Sequence, residues 1–299
     1  MKNIKKLILF SIAFSVLLAS CSSDHKYYEK LKRGASYGYE TPDFPEGFPK
    51  GFSYQNAAAP QLQKLKENYN LQKVVKGKSE TESIIALLHW AYNIVPWDGS
   101  APWPEGALST ESIVTFSRKN NTGVNCRMKA IILQEACLAL GIPARIVSCI
   151  PMDKNDADTH VVTAVWSQRY EAWLFMDPSF DAYVMDEENN ILSFQQIRKR
   201  LIDNKALTLN PEAEMNGKKL EESFYFDFYL MKNLYAMISP MQARYAYEGS
   251  DGNRYSLLLA PLAEYGKPEK SKLFTGQFRK STFHRFTISN PAIFWASPK

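Results

Sequence analysis

The spacing of apolar residues changes three times along the chain, and each change marks a different kind of segment. Leu7 to Ala19 is an uncharged apolar run behind Lys2, Lys5 and Lys6. It is shorter than the roughly 20 residues that cross a bilayer as a helix, so it reads as a signal peptide over residues 1–20. From residue 21 to about 56 no period survives. Gly34, Gly38, Pro42, Pro45, Gly47, Pro49 and Gly51 interrupt it, which predicts a tether and an irregular arm. Tyr37, Tyr39, Phe44, Phe48 and Phe52 suggest that part of the arm packs on the rest.

Helical spacing then takes over. Pro60 to Tyr69 reads as a short polar helix. Ser79 and Glu82 form a capping box ahead of IIALLHWAYNIV, which Pro96 stops. Ser109 to Arg118 is another short helix. Cys126 to Leu140 is the strongest: Ile131, Ile132, Leu133, Ala136, Cys137 and Leu140 cover a broad face, and Gly141 ends it. Next come continuous or alternating apolar runs at 144–150, 160–166 and 170–176, read as strands buried on both faces. Ser193 and Gln196 cap a helix reaching about Asn204. An aromatic helix is expected over Phe224–Ile238, its rings packing in the core or lining a groove. A turn at 249–253 is expected to join RYAY and YSLLL as paired strands. Helices first, then strands, then both, argue an α+β fold. The divisions are a leader (1–20), a tether and arm (21–56), a core (57–205) and a C-terminal extension (206–299).

Composition narrows the function. At 299 residues with 45% hydrophobic and 22% charged residues, the chain is an ordinary globular protein. Its net charge of +5 includes three leader lysines and no basic block, which argues against nucleic acid as a partner. Four cysteines are too few for a disulfide scaffold. Cys126, Cys137, Cys149 and His160 are too widely spaced to suggest zinc, and no metal or cofactor is expected. Cys137 and Cys149 could pair, but their apolar context favours buried thiols. The run Asp153–Asp158 lacks the glycine and closing glutamate of a calcium loop and reads as a solvated loop. His25, His89 and His284 have no obvious partner.

The chemistry gathers around Cys126. It follows Thr122-Gly123-Val124-Asn125 and opens the strongest helix, with Asn125 as N-cap. A thiol in the first turn feels the positive end of the helix dipole, which favours the thiolate. His160 and Asp177 lie on the two strands flanking Ser167-Gln168-Arg169-Tyr170. If the hairpin turns on Gln168 and Arg169, then Ser167 faces Tyr170, Ala164 faces Trp173 and His160 faces Asp177. Facing side chains share one side of the sheet, within reach of an imidazole–carboxylate hydrogen bond.

Two resemblances follow. Leu18-Ala19-Ser20-Cys21 resembles the lipobox of bacterial lipoproteins, which implies lipidation of Cys21 and anchoring in the cell envelope, with the outer membrane favoured. GVNCRMKAIILQEACLALGIPARIV, THVVTAVW and WLFMDPSFDAY together resemble the transglutaminase-like superfamily over about residues 80–185. That resemblance implies a papain-like α+β core, with Cys126 as nucleophile, His160 as general base and acid, and Asp177 orienting His160. It implies thiolate attack on an amide carbonyl of a peptide, protein or glycopeptide, with hydrolysis expected over cross-linking. The Cys126 N–H is one candidate oxyanion donor. An indole is a second: Trp103 by position, with Trp90 and Trp97 as competitors. The rival readings are a non-catalytic peptide- or glycan-binding module on the same fold, and a structural subunit of an envelope complex. Oligomeric state is not legible.

Overall fold

A computed structural model describes residues 26–153, 155–262, 273–278 and 280–299. The leader and Cys21 lie outside the described residues. Among the described residues no helix is long and apolar enough to cross a membrane.

The elements follow in order. A short helix α1 (26–33) and strand β1 (Ser53–Tyr54) precede the helices α2 (Pro60–Asn68), α3 (Leu71–Val75), α4 (Glu80–Asn93), α5 (Thr110–Asn120) and α6 (Cys126–Ala139). Strands β2 (Ala144–Ile150), β3 (His160–Ser167), β4 (Ala172–Asp177) and β5 (Ala182–Met185) follow, then α7 (Phe194–Ile202) and short strands β6 (Thr208–Leu209), β7 (Glu214–Met215) and β8 (Lys218–Lys219). A π-helix (Phe224–Leu230) runs into α8 (Met231–Asn233). The chain ends with β9 (Ala236–Pro240), β10 (Gln242–Ala243), β11 (Gly252–Leu259), β12 (Leu273–Phe278), β13 (Ser281–Ile288) and α9 (Pro291–Phe294). The architecture is α+β, as the sequence pattern implies. Its central sheet runs β12-β13-β11-β9-β2-β3-β4-β5-β6.

Each face of the sheet carries its own core. Ile146, Val161, Val165, Leu174 and Met176 meet the helices α2 to α6. Val147, Val162, Ala164, Trp173 and Phe175 meet the arm, α7, the π-helix and α9. This is why β2 to β4 read as unbroken apolar runs. Helix α6 lies in the middle of the first layer. Twelve of its fourteen residues are buried, including Lys129, Gln134 and Glu135. Gly141, at φ +78°, closes it in the left-handed region that glycine adopts freely.

The arm is partly structured. Phe48 is buried against Tyr255 and Phe286, and Phe52 packs on Phe294, while Tyr39 stays exposed. Arg145 explains part of this order. It is fully buried, with its guanidinium 3.9 Å from the Phe52 ring centre and against Trp173, Phe294 and Trp295. It donates to the Phe294 carbonyl at 2.6 Å, so one side chain joins the arm, the sheet and the C-terminus.

Three sequence expectations are corrected. The aromatic helix stops at Asn233, because Ala236–Pro240 pairs with both β2 and β11, and that sheet pairing overrides helical spacing. RYAY does not pair with YSLLL. The Ala246 N–H is captured at 2.8 Å by buried Glu135, and β9 takes the place beside β11. The β3–β4 turn spans four residues, Gln168–Glu171, so Ala164 faces Phe175 and not Trp173. Glu80, at the start of α4, sets this longer turn by accepting from the N–H groups of Gln168 and Arg169 and from the Ser167 hydroxyl.

Candidate active site

The loop into α6 is wedged in place before the helix begins. The Val124 N–H donates to the Pro96 carbonyl and the Asp98 N–H donates to the Val124 carbonyl, both at 3.0 Å. A Cβ on Gly123 would lie 2.6 Å from the Asp98 Cβ, so only glycine allows this approach. Asn125 then caps the helix, its side chain accepting from the Met128 N–H. Cys126 is thereby fixed as the first helical residue, partly exposed, with Trp97 held by backbone pairing to Val124.

His160 and Asp177 come together despite the corrected turn. The register slips by two residues, an even number, so both side chains keep the same face of the sheet. His160 Nε2 and Asp177 Oδ2 are 2.6 Å apart, and both residues are fully buried. Asp177 also accepts from the Tyr225 hydroxyl at 2.7 Å and, through Oδ1, from the Ser179 N–H at 3.0 Å. Three donors fix the carboxylate, as a buried charge requires. The Asp177-Pro178-Ser179 turn also places Phe180 under the imidazole, with centroids 5.6 Å apart.

With Nε2 engaged, Nδ1 is the nitrogen free to exchange a proton. The Cys126 thiol is another side chain that the His160 ring interacts with. Burial pushes the Cys126 thiol up, but the His160 ring, the Val161 N–H and the Arg127 charge outweigh it, and the net shift is downward. Burial pulls the imidazole down, and Asp177 together with Cys126 more than reverses it. The two shifts together favour a thiolate–imidazolium pair. Cys137 and Cys149 are free, buried thiols that burial pushes up, so they stay protonated.

Tyr229 completes the cluster; the sequence reading placed it only among the rings of the aromatic run, in the core or along a groove, and gave it no link to His160. Its hydroxyl lies 3.0 Å from His160 Nδ1. Tyr225 and Tyr229 stand four residues apart on the π-helix, and both touch the His160–Asp177 pair. That spacing inside FYFDFYL was the available signal, masked by the surrounding phenylalanines. The loop before His160 is also tied down: Lys232 on α8, itself buried, bonds Asp158 and Asp156. His89, which has no visible sequence partner, meets Asp181 at 2.6 Å.

The three tryptophans separate. Trp103 is exposed on the wall of a neighbouring cavity and takes no part in the described hydrogen bonds around Cys126. Trp90 packs against Tyr69 on α4. Trp97 packs on Phe180, and its indole N–H is buried with no partner among the described residues.

The family model of the transglutaminase-like superfamily matches residues 67–178, which contain Cys126, His160 and Asp177. The chain carries a transglutaminase-like domain. Among solved structures, a candidate cysteine protease from Cytophaga hutchinsonii is 22% identical over 46% of this chain and 43% of that one, with a TM-score of 0.30. The chain thus spans less than half the length of that protein. LapG from Legionella pneumophila is 17% identical in an EGTA-treated form, over 48% of this chain and 77% of that one (TM-score 0.31). A second LapG structure is 14% identical over 60% of this chain and 96% of that one (TM-score 0.31). No curated protein matches. The transglutaminase-like domain holds α4, α5, α6 and β2 to β4, while Tyr225 and Tyr229 reach its site from beyond the matched residues.

Proposed function

We propose that this protein is an exported, lipid-anchored cysteine enzyme that cleaves peptide or amide bonds through a thioester on Cys126. The observation carrying this reading is the buried His160–Asp177 pair at 2.6 Å, whose imidazole helps to lower the pKa of the Cys126 thiol. In this reading the thiolate attacks the carbonyl carbon and the tetrahedral oxyanion forms. His160 protonates the departing amine from Nδ1, and the amine leaves. Water, deprotonated by the same nitrogen, then releases the acid. The Cys126 N–H at the helix start is one oxyanion donor. Trp97, whose backbone is bridged to Val124 two residues before Cys126 and whose indole N–H is unpaired, takes the second role in this reading in place of Trp103. Hydrolysis is preferred over transamidation because an enzyme facing bulk water meets few competing amines. The complete Cys–His–Asp set speaks against a purely binding role.

Iodoacetamide labelling tests the nucleophile. Labelling of one site is expected at pH 7, abolished in Cys126→Ala and retained in Cys137→Ala. The labelling rate is expected to stay high well below the ordinary thiol range near pH 8.5, because the Cys126 pKa is lowered. Equal labelling of both variants refutes the reading. Offering water against a primary amine, read by mass spectrometry, separates hydrolysis from transamidation. Palmitate labelling, lost in Cys21→Ser, tests the anchor.

A further inference from the structure

Beside the first turn of α6 lies a cavity of about 350 Å³ lined by three arginines and a single carboxylate. Arg127 follows Cys126 directly. Arg254 and Arg285 come from β11 and β13, which pair in parallel. Glu248 is shared between two of them, 3.4 Å from Arg127 and 3.6 Å from Arg254. Both separations exceed the roughly 2.7–2.9 Å of a tight charged hydrogen bond. Arg254 is only 9% exposed, and its Nε has no partner, although its terminal nitrogen donates to Ser281 at 2.6 Å. Among the described residues the Arg285 Nε is buried and unpaired as well, and no carboxylate acts on Arg285. Burial, and then the charge of Arg127, pull the Arg285 pKa down, which marks a cation short of counter-charge.

Partly buried guanidinium groups without full pairing are costly, and an incoming anion offsets that cost. Guanidinium forks fit a planar carboxylate in two parallel hydrogen bonds. Trp103 and Tyr247 add apolar wall for a short aliphatic stem. The volume falls within the roughly 300–1,000 Å³ of ordinary ligand sites, enough for one side chain and its neighbour. We propose that this cavity is a specificity subsite for an Asp or Glu side chain of a peptide or protein substrate, close in sequence to the bond that Cys126 attacks. This assignment rests on the reading of Cys126 as nucleophile. It gives Trp103 a part in substrate contact in place of the oxyanion.

The test uses the full chain carrying Cys126→Ala and labelled peptides with Glu, Gln or Lys placed at each position in turn, read as equilibrium binding. At one position the Glu peptide is expected to bind about tenfold tighter than its Gln counterpart, the scale of one charge-assisted hydrogen bond, and the Lys peptide more weakly still. Raising the salt concentration should shrink the difference. Arg285→Gln should erase the preference and Arg285→Glu should turn it toward Lys, with near-UV circular dichroism confirming folded variants. Equal binding of Glu and Gln peptides at every position overturns the proposal, as does a preference that survives in Arg285→Gln. The Glu/Gln comparison and its salt dependence need no arginine variant, so a misfolded variant leaves them decisive. Iodoacetamide labelling of the wild type judges the nucleophile separately. A reactive Cys126 without an acidic preference sinks the subsite alone, and an inert Cys126 with the preference intact sinks the enzyme reading and reduces the cavity to a binding site for acidic side chains.

Discussion

Helix α6 carries ionisable groups at its first turn and again further along, and the two sets behave differently. At the start, Cys126 meets His160, which meets Asp177. About 14 Å along the axis, at a rise of roughly 1.5 Å per residue, sits Glu135. Its carboxylate accepts from the Thr110 N–H at 2.7 Å, the Thr110 hydroxyl at 2.8 Å and the Ala246 N–H at 2.8 Å. Lys129, between them, donates to the carbonyls of Ala91, Tyr92 and Val95 at the end of α4. Glu135 and Lys129 bond backbone and hydroxyl groups that do not titrate, so they fasten α5, the 246 turn and α4 to the central helix. Cys126 and His160 act on each other, and each can take the other's proton. A buried ionisable group with fixed partners is a fastener; one whose partner also titrates is poised for proton transfer.

The sharpest break in that comparison is Asp177→Asn. It preserves shape but removes the charge that holds the imidazolium. Any turnover is expected to fall by on the order of 10⁴-fold, as when a triad carboxylate is neutralised elsewhere, and Cys126 alkylation is expected to fall with it. The thermal transition serves as the control for folding. Unchanged alkylation in a folded variant would reduce the His160–Asp177 pair to a fastener like Glu135.

Glu135 gives the opposite signature. Burial pushes its pKa up to about 7, against the Ala246 and Thr110 N–H groups, which pull it down. The folded protein therefore holds a proton that the unfolded chain, with a pKa near 4.3, has released. The sign follows: stability from this group is fully present below about pH 4.3 and is lost as pH rises toward 7. The loss is on the order of 3 kcal/mol. Urea unfolding should show this slope in the wild type and a flatter profile in Glu135→Gln, with Cys126 reactivity following its own pH curve in both. Matching slopes would mean that Glu135 holds no extra proton in the folded protein.

These two regions were not equally legible in the sequence. Cys126 was legible because a polar capping loop before a strongly apolar helix is a local signal, and the structure builds that helix start as read. His160 and Asp177 were legible through strand parity, which survived an error in the turn because the slip was even. The turn length was hidden because Glu80, some ninety positions away, decides it. Glu135 and Lys129 drew no sequence reading, because nothing nearby shows that α6 is covered on every side. Tyr225 and Tyr229 were hidden for a related reason: they come from the extension, and only the packing of the π-helix on the sheet brings them to His160.

Tyr229 gives the finest test of the difference, because it is the one contact of Nδ1 that does not titrate in the working range. Burial, with Asp177 and Cys126 adding to it, pushes its hydroxyl pKa well up, so it stays a neutral donor and acceptor. At 3.0 Å it competes with the Cys126 sulfur for the nitrogen that must carry the proton. Tyr229→Phe keeps the ring contact with the imidazole, at 4.8 Å between centroids, and removes only that competitor. Releasing one hydrogen bond of net value near 1 kcal/mol should raise the alkylation rate of Cys126 by up to about fivefold. A lowered rate would reverse the role, making the hydroxyl the group that aims the ring at the thiol. The pH profile separates these cases further. Competition predicts that the acid limb of the rate moves to lower pH in Tyr229→Phe, because the thiolate gains the imidazolium for itself. Aiming predicts a lower plateau with the limb in place, since geometry and not charge would have changed.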